Sequence, residues 1–336
     1  MDVWGPTDSA KETAISDSTP RTVGELGEFG LIARMNAGRR FDGGVLLGPG
    51  DDAAVIAAPA QRYVVSTDML VEDRHFRLDW STPRQIGAKA IAQNAADVVA
   101  MGAAPSGFVI GLGCPADTPV ARIDELVEGM WTEAGRAGAP IAGGDVVRAP
   151  QLVISVTAFG DPPERPVLRS GARAGDTVSV AGRLGWSAAG LAVLTSGLES
   201  DLFADVLAAH RVPQPPYAAV LDLPADMAPV ALTDISDGLL ADITHIAESS
   251  GVAVDIESAA LADPALDAVA AELGADASDW VLTGGEDHAF LAVFAAGTLV
   301  PPGWRAIGLV REGAGVLVDG APRPGSPGWE SFGGHS

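Results

Sequence analysis

Short stretches along this chain repeatedly set carboxylates beside glycine, a hydroxyl or a small residue. They are Gly48-Pro49-Gly50-Asp51-Asp52, Ser66-Thr67-Asp68, Asn94 to Asp97, Gly143-Gly144-Asp145, Asp234-Ile235-Ser236-Asp237-Gly238 and Gly284-Gly285-Glu286-Asp287. Glycine lets the backbone turn tightly and approach a ligand, and aspartate oxygens are hard ligands that suit magnesium. A single stretch of this kind is uninformative, because glycine and aspartate also build ordinary turns. Their repetition at the ends of apolar runs points to divalent cations that in turn hold a nucleotide. Asp97 stands out, since it shares a helical face with Asn94 in an otherwise apolar pattern, where aspartate is disfavoured. Asp234, Ser236 and Asp237 precede a helix whose first N–H groups suit phosphate oxygens, although Ser236 or Asp237 could simply cap it.

Other phosphate-handling signatures are missing. No glycine loop ends in Gly-Lys-Ser or Gly-Lys-Thr, and Gly182-Arg183-Leu184-Gly185 is too short and wrongly placed for a dinucleotide fingerprint. Metal-assisted phosphoryl chemistry is what remains, with aspartates holding ions that neutralise developing charge. Arg169 is a phosphate clamp by chemistry, with a plain surface arginine as the alternative. His75 could touch a substrate phosphate or face solvent. Trp329 and Phe332 could stack on a flat ring or pack the tail down.

The elements that must position these groups alternate strands with helices. A helix is expected over Gly24–Met35 with Phe29, Ile32 and Met35 on one side. Strands are expected over Val45–Leu47, Ala53–Ala57 and Tyr63–Asp68, the last ending in its carboxylate. Ser81-Thr82-Pro83 starts a helix that reaches Gly102. Strands at Phe108–Leu112 and Leu152–Phe159 flank a helix over Val120–Arg136, with Gly143-Gly144-Asp145 as an acidic turn. Asp161-Pro162-Pro163-Glu164-Arg165-Pro166 cannot continue a central strand and marks the hinge. Beyond it lie strands at Thr177–Val180, Ala231–Thr233, Val252–Ile256 and His288–Phe294, with helices at Ser187–Leu194 and from Gly238 to Gly251. Residues 1–22 read as a loose tail, 23–160 as an N-terminal domain and 161–336 as a C-terminal domain, each a layered α/β or α+β unit.

Composition narrows the partners. With 44 acidic against 21 basic residues, the chain of 336 carries a formal charge of -23. No basic stripe tracks nucleic-acid phosphates, and a polyphosphate substrate would need cations beside it. Cys114 is the only cysteine, which excludes an intrachain disulfide or thiolate zinc cluster, and it reads as a quiet buried thiol. No apolar stretch reaches the length of a membrane span, so a soluble cytoplasmic protein is expected.

Taken together and in order, these motifs resemble the thiamine-monophosphate kinase family, in the superfamily that includes aminoimidazole ribonucleotide synthetase and selenophosphate synthetase. Besides the acidic stretches, the resemblance runs through His75-Phe76, Ala100-Met101-Gly102 and Arg169-Ser170-Gly171, and covers nearly everything from Gly27 to Phe332. It implies a two-domain synthetase-like fold whose N-terminal sheets pair in a homodimer. It implies that ATP phosphorylates thiamine monophosphate to the diphosphate with several magnesium ions. The resemblance places metal ligands on Asp52, Ser66, Thr67, Asp68, Asp97, Asp145, Asp234 and Asp237. Nucleotide contacts fall on Gly144, Asp145, Arg169 and Ser236, and thiamine-phosphate contacts on His75, Glu286 and Phe332. Asp52, Asp237 and Arg169 would carry the transfer itself. Two departures are Ala96, where the family usually has serine, and His288, where tyrosine is frequent. Two other readings are a superfamily synthetase that activates a ribonucleotide amide, and a non-catalytic nucleotide-binding protein.

Overall fold

The computed structural model describes residues 22–40, 44–49, 53–326 and 328–329. Asp51, Asp52, Phe332 and all of the expected tail except Thr22 lie outside the described residues. The first half comprises α1 (Val23–Leu26), α2 (Glu28–Asn36), β1 (Val45–Leu47), β2 (Val55–Ile56), β3 (Val64–Val71), α3 (Pro83–Val99), β4 (Ala104–Cys114), α4 (Val120–Ala137), β5 (Ile141–Arg148) and β6 (Val153–Asp161). Its main sheet has the order β3-β6-β4-β5. Only β4 and β5 run parallel there, because α4 makes the long crossover between them. β1 and β2 form a separate antiparallel pair.

The second half comprises β7 (Thr177–Ala181), α5 (Trp186–Ser196), α6 (Ala204–Arg211), α7 (Tyr217–Leu221), β8 (Ala231–Ile235), α8 (Leu239–Ser250), β9 (Ala253–Ile256), α9 (Pro264–Leu273), α10 (Ala277–Thr283), β10 (Ala289–Phe294), β11 (Arg305–Arg311) and β12 (Gly315–Val318). Its sheet has the order β12-β9-β11-β7-β10-β8, antiparallel except between β9 and β12. The mixed α/β architecture is the one expected.

α3 is the element on which the site depends. Thr82 and Gln85 cap its start reciprocally, at 3.3 and 2.9 Å, with Pro83 in the first turn. Its alanine-rich sequence leaves no broad polar face, so nearly all of it is buried. The first sheet and α4 cover one side, while α6, α7 and β8 of the second half reach the other. Gly87 makes the α4 crossing possible, since a Cβ there would lie 1.9 Å from the Leu126 carbonyl oxygen. One hydrophobic core joins Phe108 and Ile154 of the first sheet to Phe290, Phe294 and Trp304 of the second half. A second core, with Leu291 and Val293, fills the far side of the second sheet. β10 is therefore buried on both faces, as its unbroken apolar run requires.

Several sequence expectations need correction. The expected Gly24–Met35 helix is broken into two at Gly27, whose φ is 75°, and Phe29 is 82% exposed. β3 runs on to Val71, which places Asp68 within the strand rather than at its end. Gly143, Gly144 and Asp145 are not a turn but part of β5. A Cβ at Gly144 would lie 2.0 Å from the Ile110 carbonyl oxygen, so glycine serves close strand approach there. The α3 helix stops at Val99, short of Gly102. α6, α9, β11 and β12 have no counterpart in the sequence reading.

Candidate functional site

Strand alternation sorts the first group of polar residues. Ser66 and Asp68 face α3 from β3, while Thr67 projects to the opposite, more exposed face. Ser66 Oγ donates to Asp97 Oδ2 at 2.6 Å. The Asp68 N–H donates to Asn94 Oδ1 at 3.0 Å, and Asn94 Nδ2 donates to the Ala90 carbonyl at 2.9 Å. Asn94 and Asp97 therefore use one helical face to bind the free edge of the sheet. Burial, with the charges of Asp234 and Asp68 adding to it, pushes the Asp97 carboxyl up to about 7. Ser66 and His288 oppose that shift without cancelling it. Carboxylates from both halves thus crowd one space.

The second half brings two loops together to complete that space. Glu286 N–H donates to the Ser236 carbonyl at 2.7 Å, and His288 N–H donates to the Ile235 carbonyl at 2.8 Å. Gly238 has φ 123° and a Cβ there would meet the Thr283 carbonyl oxygen at 2.7 Å, so no other residue fits without displacement. Glu286 and His288 themselves sit at φ 66° and 49°, a costly backbone region for non-glycine residues. Neither Ser236 nor Asp237 caps α8, which removes the plainer reading of that motif. Asp242, in the first turn, instead accepts from the N–H groups of Asp237 and Gly238, both at 3.1 Å. Burial, then Asp234 and Asp237, push Asp242 up to about 7. Asp237 is raised by burial and Asp234, and pulled back in part by His245, His288 and Arg169. Arg169 itself donates through Nε to Thr233 Oγ1 at 3.2 Å, beside the same loop.

On the other side, Glu286 is held by Lys89 from α3, with Nζ 2.8 Å from Oε1. His210 Nδ1 lies 3.8 Å from Glu286 Oε2 and 3.0 Å from Ser187 Oγ. Serine and carboxylate address the same ring nitrogen, so the three do not form a nucleophilic triad. Burial opposes the Glu286 charge, but the neighbouring Lys89 ammonium leads the groups that outweigh it, and its pKa is lowered. His75 accepts from the Val71 N–H through Nδ1 at 3.0 Å. A ring whose Nδ1 accepts is neutral with Nε2 as the donor, and burial lowers its pKa. Trp329 closes this edge, its backbone N–H donating to the Asp237 carbonyl at 2.9 Å and its ring 5.3 Å from the Arg74 guanidinium carbon.

Ser66, Asp68, Asp97, Asp234 and Asp237 thus share one region, bordered by Arg169 and Ser236 and, towards Glu286, by His75. Two expected ligands sit apart. The Thr67 hydroxyl donates to the Val156 carbonyl at 2.9 Å, on the other face of β3. Asp145 is exposed on the same open face but on β5, the opposite edge of the sheet. Two strands intervene between β3 and β5, so those edges are roughly 14 Å apart at about 4.8 Å per strand. Asp145 and Gly144 line a cleft of about 60 Å³ with Ile32, Met35 and Trp131. Among the described residues, no three His, Cys, Asp or Glu side chains are arranged to hold one ion between them. The donor set nevertheless suits a hard divalent cation, since buried carboxyls forced towards neutrality are relieved by positive charge.

Lys89, His210 and Asp242 escaped the sequence reading. The signal available for Lys89 was a lone cation in an alanine-rich helix. Asp287, within an expected motif, instead anchors α5 by accepting from the N–H groups of Gly185 and Ser187. Cys114 is buried, and burial raises its thiol. Among the described residues, no helix is long and apolar enough to cross a membrane.

The chain matches the AIR synthase related protein, N-terminal domain, over residues 50–161. It is 55% identical to the thiamine-monophosphate kinase of Mycobacterium tuberculosis, over 97% of each chain. A thiamine monophosphate kinase structure from Aquifex aeolicus superposes with a TM-score of 0.73 at 33% identity, covering 79% of this chain and 91% of that one. The structure of AaThiL complexed with AMPPCP and TMP gives a TM-score of 0.76 at 32% identity, covering 94% of this chain and 100% of that one.

Proposed function

The chain belongs to the thiamine-monophosphate kinase family, and from that premise we propose direct in-line transfer as its route from thiamine monophosphate and ATP to thiamine diphosphate and ADP. The observation that carries this reading is the meeting of Asp97 and Asp68 with Asp234 from the other half. The acceptor phosphate has a second pKa near 6, so it is a dianion at neutral pH and needs no strong general base. The obstacle is bringing one anion against another, which makes positioning and charge compensation the catalytic task.

Asp68, Asp97, Asp234 and Asp237, with the Ser66 hydroxyl and with Asp52, would hold magnesium. When bound, magnesium supplies the positive charge that two phosphate anions otherwise lack. Arg169, beside Asp237, supplies a fixed cation for the nucleotide phosphates. Ser236, at the start of α8, and Gly144 and Asp145, beside their cleft, are assigned to the same nucleotide. His75, Glu286 and Phe332 are assigned to thiamine monophosphate, with the neutral His75 ring able to donate from Nε2 to its phosphate.

A second copy of the chain covers the open face of the first sheet in this reading. Val65, Met69 and Val147 are exposed there beside Thr67 and Asp145. Closing that face with a partner would bring the two outlying ligands next to the opposite edge of a second sheet. The use of ATP fits a cytoplasmic enzyme.

Purified protein supplied with ATP, magnesium and thiamine monophosphate should form ADP and thiamine diphosphate in equal amounts. ADP without thiamine diphosphate would refute the transfer and favour a superfamily synthetase. Nucleotide binding without acceptor-dependent turnover would refute catalysis altogether.

A further inference from the structure

Lys89 is 3% exposed, whereas the side chain of its partner Glu286 is 36% exposed. A buried ammonium persists only with close partners. Among the described residues Lys89 has two: Glu286 Oε1 at 2.8 Å and the His75 carbonyl at 3.3 Å. Both belong to segments assigned above to the acceptor. The cation therefore lies behind the carboxylate, and the carboxylate has the open side. His210 contributes no charge of its own at neutral pH, because burial and Lys89 hold its pKa down to about 4. Lys89 is thus the cation in direct contact with the Glu286 carboxylate.

We propose that Lys89 is a positioning residue for the acceptor, acting through Glu286 by fixing its carboxylate from behind. The ligand chemistry suited to the open carboxylate is a cationic or N–H-donating heterocycle, which thiamine monophosphate provides in its thiazolium and aminopyrimidine rings. Because α3 belongs to the first half and Glu286 to the second, the pair also sets the register between the two sides of the acceptor pocket. This inference rests on the assignment of Glu286 to thiamine monophosphate.

Steady-state kinetics of the wild type, Lys89→Met, Glu286→Gln and the double variant test it, with the two KM values measured separately. Lys89→Met should raise KM for thiamine monophosphate on the order of tenfold or more, the weight of one charge-assisted hydrogen bond. KM for ATP should stay within about twofold, as expected of a group acting on the acceptor alone. The double variant removes both charges and leaves neither buried alone, so it remains informative if Lys89→Met fails to fold. Its acceptor KM should equal that of Glu286→Gln. A further rise in the double variant would overturn the inference by showing that Lys89 acts independently of Glu286. If Glu286→Gln raises the acceptor KM and folded Lys89→Met does not, the inference fails while the kinase reading stands. If Glu286→Gln has no effect on it, the assignment of Glu286 fails and the inference with it.

Discussion

Acid should remove the stability contributed by one imidazole, that of His210. The ring lies on α6, next to Arg211, and faces Ser187 of α5, Lys89 of α3 and Glu286 of the loop before β10. Burial first, and then Lys89, hold it neutral down to about 4, with Glu286 and a hydrogen bond to the Ser187 backbone opposing in part. In an unfolded chain the same ring takes up a proton near 6.5. The folded pKa is the depressed one, so its contribution to stability is complete above about 6.5 and is lost as the pH falls towards about 4. The interval between about 4 and 6.5, at about 1.4 kcal/mol per pH unit, bounds the loss at about 3 kcal/mol. Asp97, Asp242 and Asp287, whose carboxyls burial pushes up to about 7, respond in the opposite sense and gain stability as the pH falls through that value. They are common to the wild type and to His210→Gln, which keeps a polar partner for Ser187 Oγ but does not titrate. Comparing the two proteins therefore isolates the imidazole. Urea denaturation followed by far-UV circular dichroism at pH 7.5 and 4.5 should show the wild type losing about 2 kcal/mol more than the variant. Equal losses in the two proteins would refute the reasoning.

Asp97→Asn and Asp237→Asn should each reduce turnover at least about 100-fold while leaving the far-UV spectrum unchanged, since the loss is of charge and not of packing. Wild-type turnover in either variant would contradict its role. Gly87→Ala should destabilise the protein by about 2 kcal/mol or more, because the new Cβ forces α3 and α4 apart. A melting temperature equal to that of the wild type would disprove the close crossing. Met69→Arg should shift the protein to a monomer in analytical ultracentrifugation, because it buries a charge in the face assigned to the second copy. An unchanged dimer would place the interface elsewhere.

The site was legible where one residue type can do only a few things. Carboxylates repeated beside glycine and hydroxyl residues indicated cation and phosphate chemistry, and the absence of Gly-Lys-Ser or Gly-Lys-Thr loops excluded the commoner route. Proline after Thr82 and the segment ending at Phe294 located a helix start and a strand, because these signals are local. The partners of each carboxylate were not local. Alternation in β3 turned Thr67 away from Ser66 and Asp68, an outcome that depends on which face meets α3. Gly143-Gly144-Asp145 has the composition of a turn yet forms a strand, since pairing with β4 demands an approach only glycine permits. Lys89 had no neighbour in sequence to explain it, and its meaning came from Glu286, brought to it from the other half. Sequence determined which chemical groups this protein has and where its regular elements begin. Tertiary structure alone decided which charges face one another, because the energy of a buried charge depends on neighbours that chain order does not specify.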